Sequence, residues 1–286
     1  MTHPFLQLDV FAPQPLRGNP LAVVCNADDL DAATMQSIAN WLGLSETTFL
    51  LEPTTPGADY RVRIFTPGGE LPFAGHPTLG TCAAWLQRGG KPGRDGVVMQ
   101  QCGIGQVEVR VTPSADAPNA QRLAFAAPPM REQAVEPTLL RQVAIALGLQ
   151  EHDLLSSAWL ENGPRWLSLW LRSAEIVLAV EPDHAALKRL GVDVGLAGPH
   201  APGGNAAIEV RFFASALGVP EDPITGSLNA SLAQWLIGKG ALPAQYVAAQ
   251  GTRLGRAGRV HIHRDSDGQI WVGGDVQLLL AGTLAL

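Results

Sequence analysis

The sequence predicts an α+β fold of two similar halves, and three observations predict it. First, 286 residues are too many for one small domain and too few for three. Second, short β-branched or alternating runs outnumber helical stretches along most of the chain. Third, one pattern occurs twice. Arg63-Ile64-Phe65 precedes Gly75-His76 and an apolar stretch holding Trp85-Leu86, and Arg211-Phe212-Phe213 precedes Gly226-Ser227 and an apolar stretch holding Trp235-Leu236. The Arg-to-Gly separations are 12 and 15 residues, and the Gly-to-Trp separations 10 and 9.

In chain order, strands are predicted over 4–13 and 19–25, divided by a Pro/Gly turn from Pro13 to Asn19. Asp31 caps a helix whose Met35, Ile38 and Leu42 share one face, and Gly43 ends it. Strands follow over 47–52 and 59–66. Pro72 to Gly90 reads as a helix entered through Gly75-His76-Pro77, with Leu79, Cys82, Ala83 and Leu86 at helical spacing. It is apolar nearly all round, so a sheet should wrap it. Strands near 97–101, 105–112 and 121–126 lead to Pro128-Pro129, a candidate boundary. Beyond it, helices at 137–147 and 182–190 alternate with strands near 155–160, 165–171 and 207–213, before a helix at 227–239 and strands to the end.

Composition narrows the function classes. With 46% apolar and 16% charged residues, the chain has the profile of a packed globular protein. A net charge of −6 with no basic stripe argues against nucleic acid as a partner. The N-terminus lacks a basic segment leading into an apolar one, and no run of about 18 apolar residues occurs, so no membrane association and a cytoplasmic location are expected. Cys25, Cys82 and Cys102 are widely spaced, with no Cys-x-x-Cys pair, and read as reduced, mostly buried thiols. His261-x-His263 puts two imidazoles on one strand face without a third ligand in view, so no metal site is expected. Gly103-x-Gly105 and Gly273-Gly274 lack the surroundings of a dinucleotide fingerprint and read as turns or bulges.

Candidate chemistry lies at the starts of the two echoed helices. Their first N–H groups are unshielded by side chains at Gly75 and Gly226, and two such helix ends can hold a substrate carboxylate. A tight turn alone would equally account for each glycine. Glu46, between Gly43 and the apolar run Phe49-Leu50-Leu51, suits a half-buried acid/base, and a turn-capping Glu would fit the same position.

Four words then carry a resemblance: Gly18-Asn19-Pro20-Leu21-Ala22-Val23-Val24, Ser45-Glu46-Thr47, Pro72-Phe73-Ala74-Gly75-His76-Pro77-Thr78, and Glu221-Asp222-Pro223-Ile224-Thr225-Gly226-Ser227. Together they resemble the PhzF, or phenazine biosynthesis-like, family, in order along nearly the whole chain. The resemblance implies a diaminopimelate-epimerase-like fold: two pseudo-symmetric domains, each a twisted sheet or barrel around a central helix. The domains are expected over 1–118 plus about 274–286, and over 119–273.

By the same resemblance Glu46 is the catalytic acid/base, and Asn19, Gly75, His76, Asp222, Gly226 and Ser227 are substrate-binding. The activity implied is a cofactor-independent isomerisation of a small carboxylate-bearing substrate, similar to that of dihydro-hydroxyanthranilate, by a homodimer. Fold relatives that racemise amino acids use two cysteines, and here those places hold Ala74 and Thr225, neither of which can act as a carbon base near neutrality. An epimerase using Glu46 with another base, and a binding protein without turnover, are the alternatives.

Overall fold

The computed structural model describes residues 2–113 and 121–286. The chain forms two compact units, Met1–Ala126 with Val272–Leu286, and Ala127–Trp271. The boundary expected between residues 118 and 119 lies outside the described residues.

In the first unit, β1 (Thr2–Val10) pairs antiparallel with β2 (Asn19–Cys25), and α1 (Ala32–Leu42) carries the chain to β3 (Thr47–Leu51), parallel to β2. β4 (Tyr60–Thr66) and the short β5 (Gly69–Leu71) form a hairpin before α2 (Gly75–Gln87). β6 (Val97–Cys102), parallel to β4, then leads to β7 (Gly105–Pro113) and β8 (Gln121–Ala126).

The second unit runs β9 (Arg131–Gln133), α3 (Pro137–Ala146), β10 (Leu154–Glu161), β11 (Arg165–Leu171), α4 (Ala174–Ala179), α5 (His184–Leu190), β12 (Val194–Pro199), β13 (Ile208–Phe213), α6 (Gly226–Gly238), β14 (Gln245–Gln250) and β15 (Gly258–Arg264). The last strand, β16 (Ile270–Ala285), starts in this unit and ends in the first.

The first unit closes into an eight-stranded barrel, β1-β2-β3-β4-β6-β7-β8-β16, with β16 pairing back on β1. Its interior holds α2, whose residues Gly75–Ala84 are all buried and which packs against strands all round the barrel. An all-round apolar helix needs apolar neighbours on every side, and the barrel supplies them. Close approach requires Gly80: a Cβ there would come within 2.4 Å of Leu21 Cδ2. The helix α1 lies outside the barrel. Asp31 caps it by accepting from the Thr34 N–H at 2.8 Å, and Gly43 at φ 64° ends it. Met35, Ile38 and Ala39 press on Val24, Phe49, Leu51 and Phe65.

The second unit runs its strands in the order β15-β14-β13-β12-β11-β10-β9. Its apolar helix α6 links parallel β13 and β14, as α2 links β4 and β6. Here the strand yields instead of the helix, because a Cβ on Gly195 of β12 would sit 2.5 Å from Leu228 Cδ1 of α6. Helices α3, α4 and α5 cover a separate cluster that includes Val143, Leu169, Val177, Leu187 and Leu196. The echoed Arg-x-Phe segments match in detail. Arg63 makes a two-pronged bond to Glu70 at 2.7 Å with Phe65 beneath its guanidinium, and Arg211 does the same to Glu221 at 2.9 Å over Phe213.

The structure departs from the sequence reading at short elements. β5, β9 and α4 are too brief to show a period, and β12 is broken as a pattern by Gly195 and Gly198. The helix expected from 72 starts at Gly75, and the one expected from 182 starts at His184. Gly273-Gly274 sits inside β16 and not at a turn. Cβ atoms there would meet Leu123 O at 2.8 Å and Phe11 Cδ1 at 2.3 Å, so close packing is what demands glycine. Among the described residues, no helix is long and apolar enough to cross a membrane.

Candidate active site

Three of the expected residues come together in the first unit. Glu46 lies in the return from α1 to β3, where Gly43 ends the helix and Thr47 begins the strand. Its side chain is 15% exposed, and Oε2 lies 3.5 Å from Nδ1 of His76, the second residue of α2. Asn19, buried at the start of β2, places Nδ2 3.5 Å from the same ring nitrogen, at the outer limit of a hydrogen bond.

Despite the carboxylate beside it, His76 is not its ionic partner. The ring is fully enclosed, and desolvation pushes its pKa down to about 3, opposed only in part by a Pro20 backbone contact. The imidazole is therefore neutral at ordinary pH. It offers Glu46 a dipole and a shape, not a counter-charge.

A fourth, Gly75, is the first residue of α2, and the remaining three gather in the second unit at the start of α6. Asp222 and Ser227 are buried, and Gly226 is the first helical residue. The preceding residue, Thr225, holds the N-cap position yet makes no capping bond with its side chain. Its hydroxyl instead donates to Asp222 Oδ2 at 2.5 Å. Ala74, the N-cap of α2, has no side-chain cap either. Both helix starts thus leave their leading N–H groups uncovered by the cap residue, the arrangement that suits an anion.

Two residues escaped the sequence reading. Gln250, buried at the end of β14, accepts from the Thr225 N–H at 3.0 Å and from Asn229 Nδ2 at 2.8 Å, and donates to Thr225 Oγ1 at 3.0 Å. Asn162 donates to the Ser227 carbonyl at 2.8 Å. Extending the echo would have found the first: Gln100 lies 37 residues after Arg63, and Gln250 lies 39 after Arg211.

The thiols are free, with Cys25 and Cys82 buried and Cys102 half-buried. Burial raises Cys25 to about 11, and Cys82, inside α2, higher still. Among the described residues, no group of three or more His, Cys, Asp or Glu is arranged to hold a metal ion.

Comparison with known proteins matches residues 8–279 to the PhzC-PhzF family of phenazine biosynthesis-like proteins. The chain belongs to this family. A curated relative, the antisense-enhancing sequence 1 protein of Schizosaccharomyces pombe, is 33% identical, with 98% of each chain covered. The trans-2,3-dihydro-3-hydroxyanthranilate isomerase of Pseudomonas aeruginosa is 34% identical, covering 93% of this chain and 92% of the relative. A PhzF-family crystal structure from Bacillus anthracis superposes over the whole of both chains with a TM-score of 0.85 at 21% identity, which speaks to fold alone. A probable proline racemase from Agrobacterium radiobacter shares the fold at a TM-score of 0.64 and 11% identity, covering 99% of this chain and 92% of the racemase. The PhzF-family chain is accordingly an isomerase with the diaminopimelate-epimerase-like fold.

Proposed function

We propose that this PhzF-family isomerase moves a proton between two carbons of a small, unsaturated, carboxylate-bearing molecule, with Glu46 as the acid/base. The observation that carries the reading is the pairing of a nearly buried Glu46 carboxylate with a neutral, enclosed His76 at 3.5 Å. A carboxylate held beside a neutral imidazole can take a proton from carbon and give it back, and the same group serves both directions.

The step balances without help. A C–H bond breaks as Glu46 takes the proton, the electron pair spreads through the unsaturated system, and a new C–H bond forms when Glu46 returns the proton at another carbon. Nothing is oxidised or reduced. Within the first unit, Asn19 and His76 orient an amino or hydroxyl group and the N–H groups at Gly75 hold a carboxylate; in the second, Asp222, Gly226 and Ser227 are proposed as substrate-binding residues. Racemisation by two thiols is disfavoured because Ala74 and Thr225 occupy the helix caps and Cys82 is buried in the interior of α2.

The compound to try first is trans-2,3-dihydro-3-hydroxyanthranilate, the substrate for which the Pseudomonas aeruginosa relative is named. Its absorbance should change on addition of catalytic amounts of the protein and stay constant without it. An unchanged spectrum at high enzyme concentration would remove this substrate, and solvent-deuterium exchange into amino acids would then test the epimerase alternative. Assembly as a homodimer is part of the proposal, checked by sedimentation velocity.

A further inference from the structure

Asp222 has a dedicated support. The Thr225 hydroxyl donates to Asp222 Oδ2 at 2.5 Å, a length typical of a charge-assisted bond. A hydroxyl has one proton to give, so donating to Asp222 leaves Thr225 Oγ1 as an acceptor, and Gln250 Nε2 fills that role at 3.0 Å. The other end of the same amide, Gln250 Oε1, accepts from the Thr225 N–H and from Asn229 Nδ2. Gln250 Nε2 also lies 3.3 Å from the Asp222 carbonyl. Every one of these groups is buried.

The alternative for an N-cap threonine is to turn its hydroxyl back on the helix and accept from an N–H one turn in. Gln250 removes that option, because it presents a donor to Oγ1 and an acceptor to the Thr225 N–H together. The hydroxyl proton is then left pointing at Asp222. In the first unit the corresponding glutamine, Gln100, reaches Thr78 Oγ1 at 3.0 Å and accepts from the Tyr60 hydroxyl at 2.9 Å, and the cap there is Ala74, which has no hydroxyl to direct. A buried glutamine beside the fourth residue of the apolar helix is thus common to both units, while the link to an acidic residue exists only in the second.

We infer that Gln250 is a positioning residue, acting through Thr225 to fix the orientation of the Asp222 carboxylate. The inference rests on the reading above that Asp222 contacts substrate. It predicts that Gln250→Leu and Thr225→Val each lower kcat/KM by about 10- to 100-fold, whereas Thr225→Ser, which keeps the hydroxyl, stays within about threefold of wild type.

Two measurements separate positioning from plain structural support. In a double-mutant cycle, Gln250→Leu should cost little further activity once Asp222→Asn is present, because both act on one carboxylate. Equal, additive losses in the two backgrounds would overturn the inference. Independently of any substrate, crystal structures of Gln250→Leu and Thr225→Val should show the Asp222 carboxylate turned away from its wild-type position with the strands unmoved. An unmoved carboxylate in both variants would overturn the inference even if the isomerase reading stood. Absence of turnover by the wild-type protein would count against the isomerase reading, leaving the carboxylate orientation to decide this one.

Discussion

Glu46 and Asp193 stand at corresponding places in the two units. Each follows a left-handed glycine that ends a helix, Gly43 or Gly191, and each immediately precedes a strand parallel to the one before the crossover. Their surroundings differ. Asp193 is raised by desolvation but spends its carboxylate on backbone, accepting the Ala216 N–H at 2.9 Å and tying down the turn after β13. Glu46 faces the neutral ring of His76. One scaffold thus offers an acidic position twice, and the proposed function gives proton transfer to the copy beside a neutral imidazole. The helix caps show the same divergence: Thr225 is wired to Asp222, and Ala74 to nothing of the kind.

The comparison breaks most readily at these two carboxylates. Glu46→Gln should lower kcat by about 10²- to 10⁴-fold with an unchanged melting temperature. Asp193→Asn should do the reverse, keeping kcat within a few fold while losing about 1–2 kcal/mol of stability in denaturant unfolding. Loss of activity in Asp193→Asn without loss of stability would show that the two positions had not diverged.

The echoed arginine pairs give the next largest contrast. Arg211 and Glu221 have side chains 4% and 9% exposed, and Arg211 also donates to the Val180 carbonyl at 2.6 Å. Arg63 and Glu70 are 28% and 42% exposed. Removing one partner of a buried pair strands a charge, so Glu221→Ala should cost about 3–5 kcal/mol, whereas Glu70→Ala should cost less than about 1 kcal/mol. Urea unfolding of both variants decides it, and similar losses would contradict the burial argument.

A smaller effect sharpens the packing comparison. Gly80→Ala crowds Leu21 from the helix side, and Gly195→Ala crowds Leu228 from the strand side. Each should cost about 1–3 kcal/mol. A stabilising alanine at either site would show room that the geometry denies.

A final contrast concerns acid stability. The folded pKa of His76, about 3, lies below its unfolded value of 6.5, so the unfolded chain takes up this proton first as pH falls. The stability that neutral His76 allows is complete above pH 6.5 and drains away between there and about pH 3. Wild type should therefore lose stability over that window more steeply than His76→Gln. Parallel slopes would place the acid-sensitive group elsewhere.

Much of this organisation was legible in the sequence because it rests on period and punctuation. The helix from Asp31 to Gly43 was bounded by its caps, and the all-round apolar helix that starts at Gly75 announced the sheet that encloses it. The Arg-x-Phe echo marked the repeat because the same ion pair and ring contact recur in both units. What stayed hidden depends on three-dimensional pairing. A lone Gln250 at a strand end carries no local pattern, and its role follows only from β14 lying beside β13 next to the start of α6. The neutrality of His76 was equally out of reach, since it comes from complete enclosure and not from any neighbour in sequence.

The account turns on Glu46, and the most direct test is turnover of trans-2,3-dihydro-3-hydroxyanthranilate by wild type and Glu46→Gln, side by side and equally folded by circular dichroism. Steady turnover by wild type and a loss of at least about 10²-fold in the variant are expected. Equal rates from the two proteins would contradict it, because an amide in place of the carboxylate cannot carry the proton.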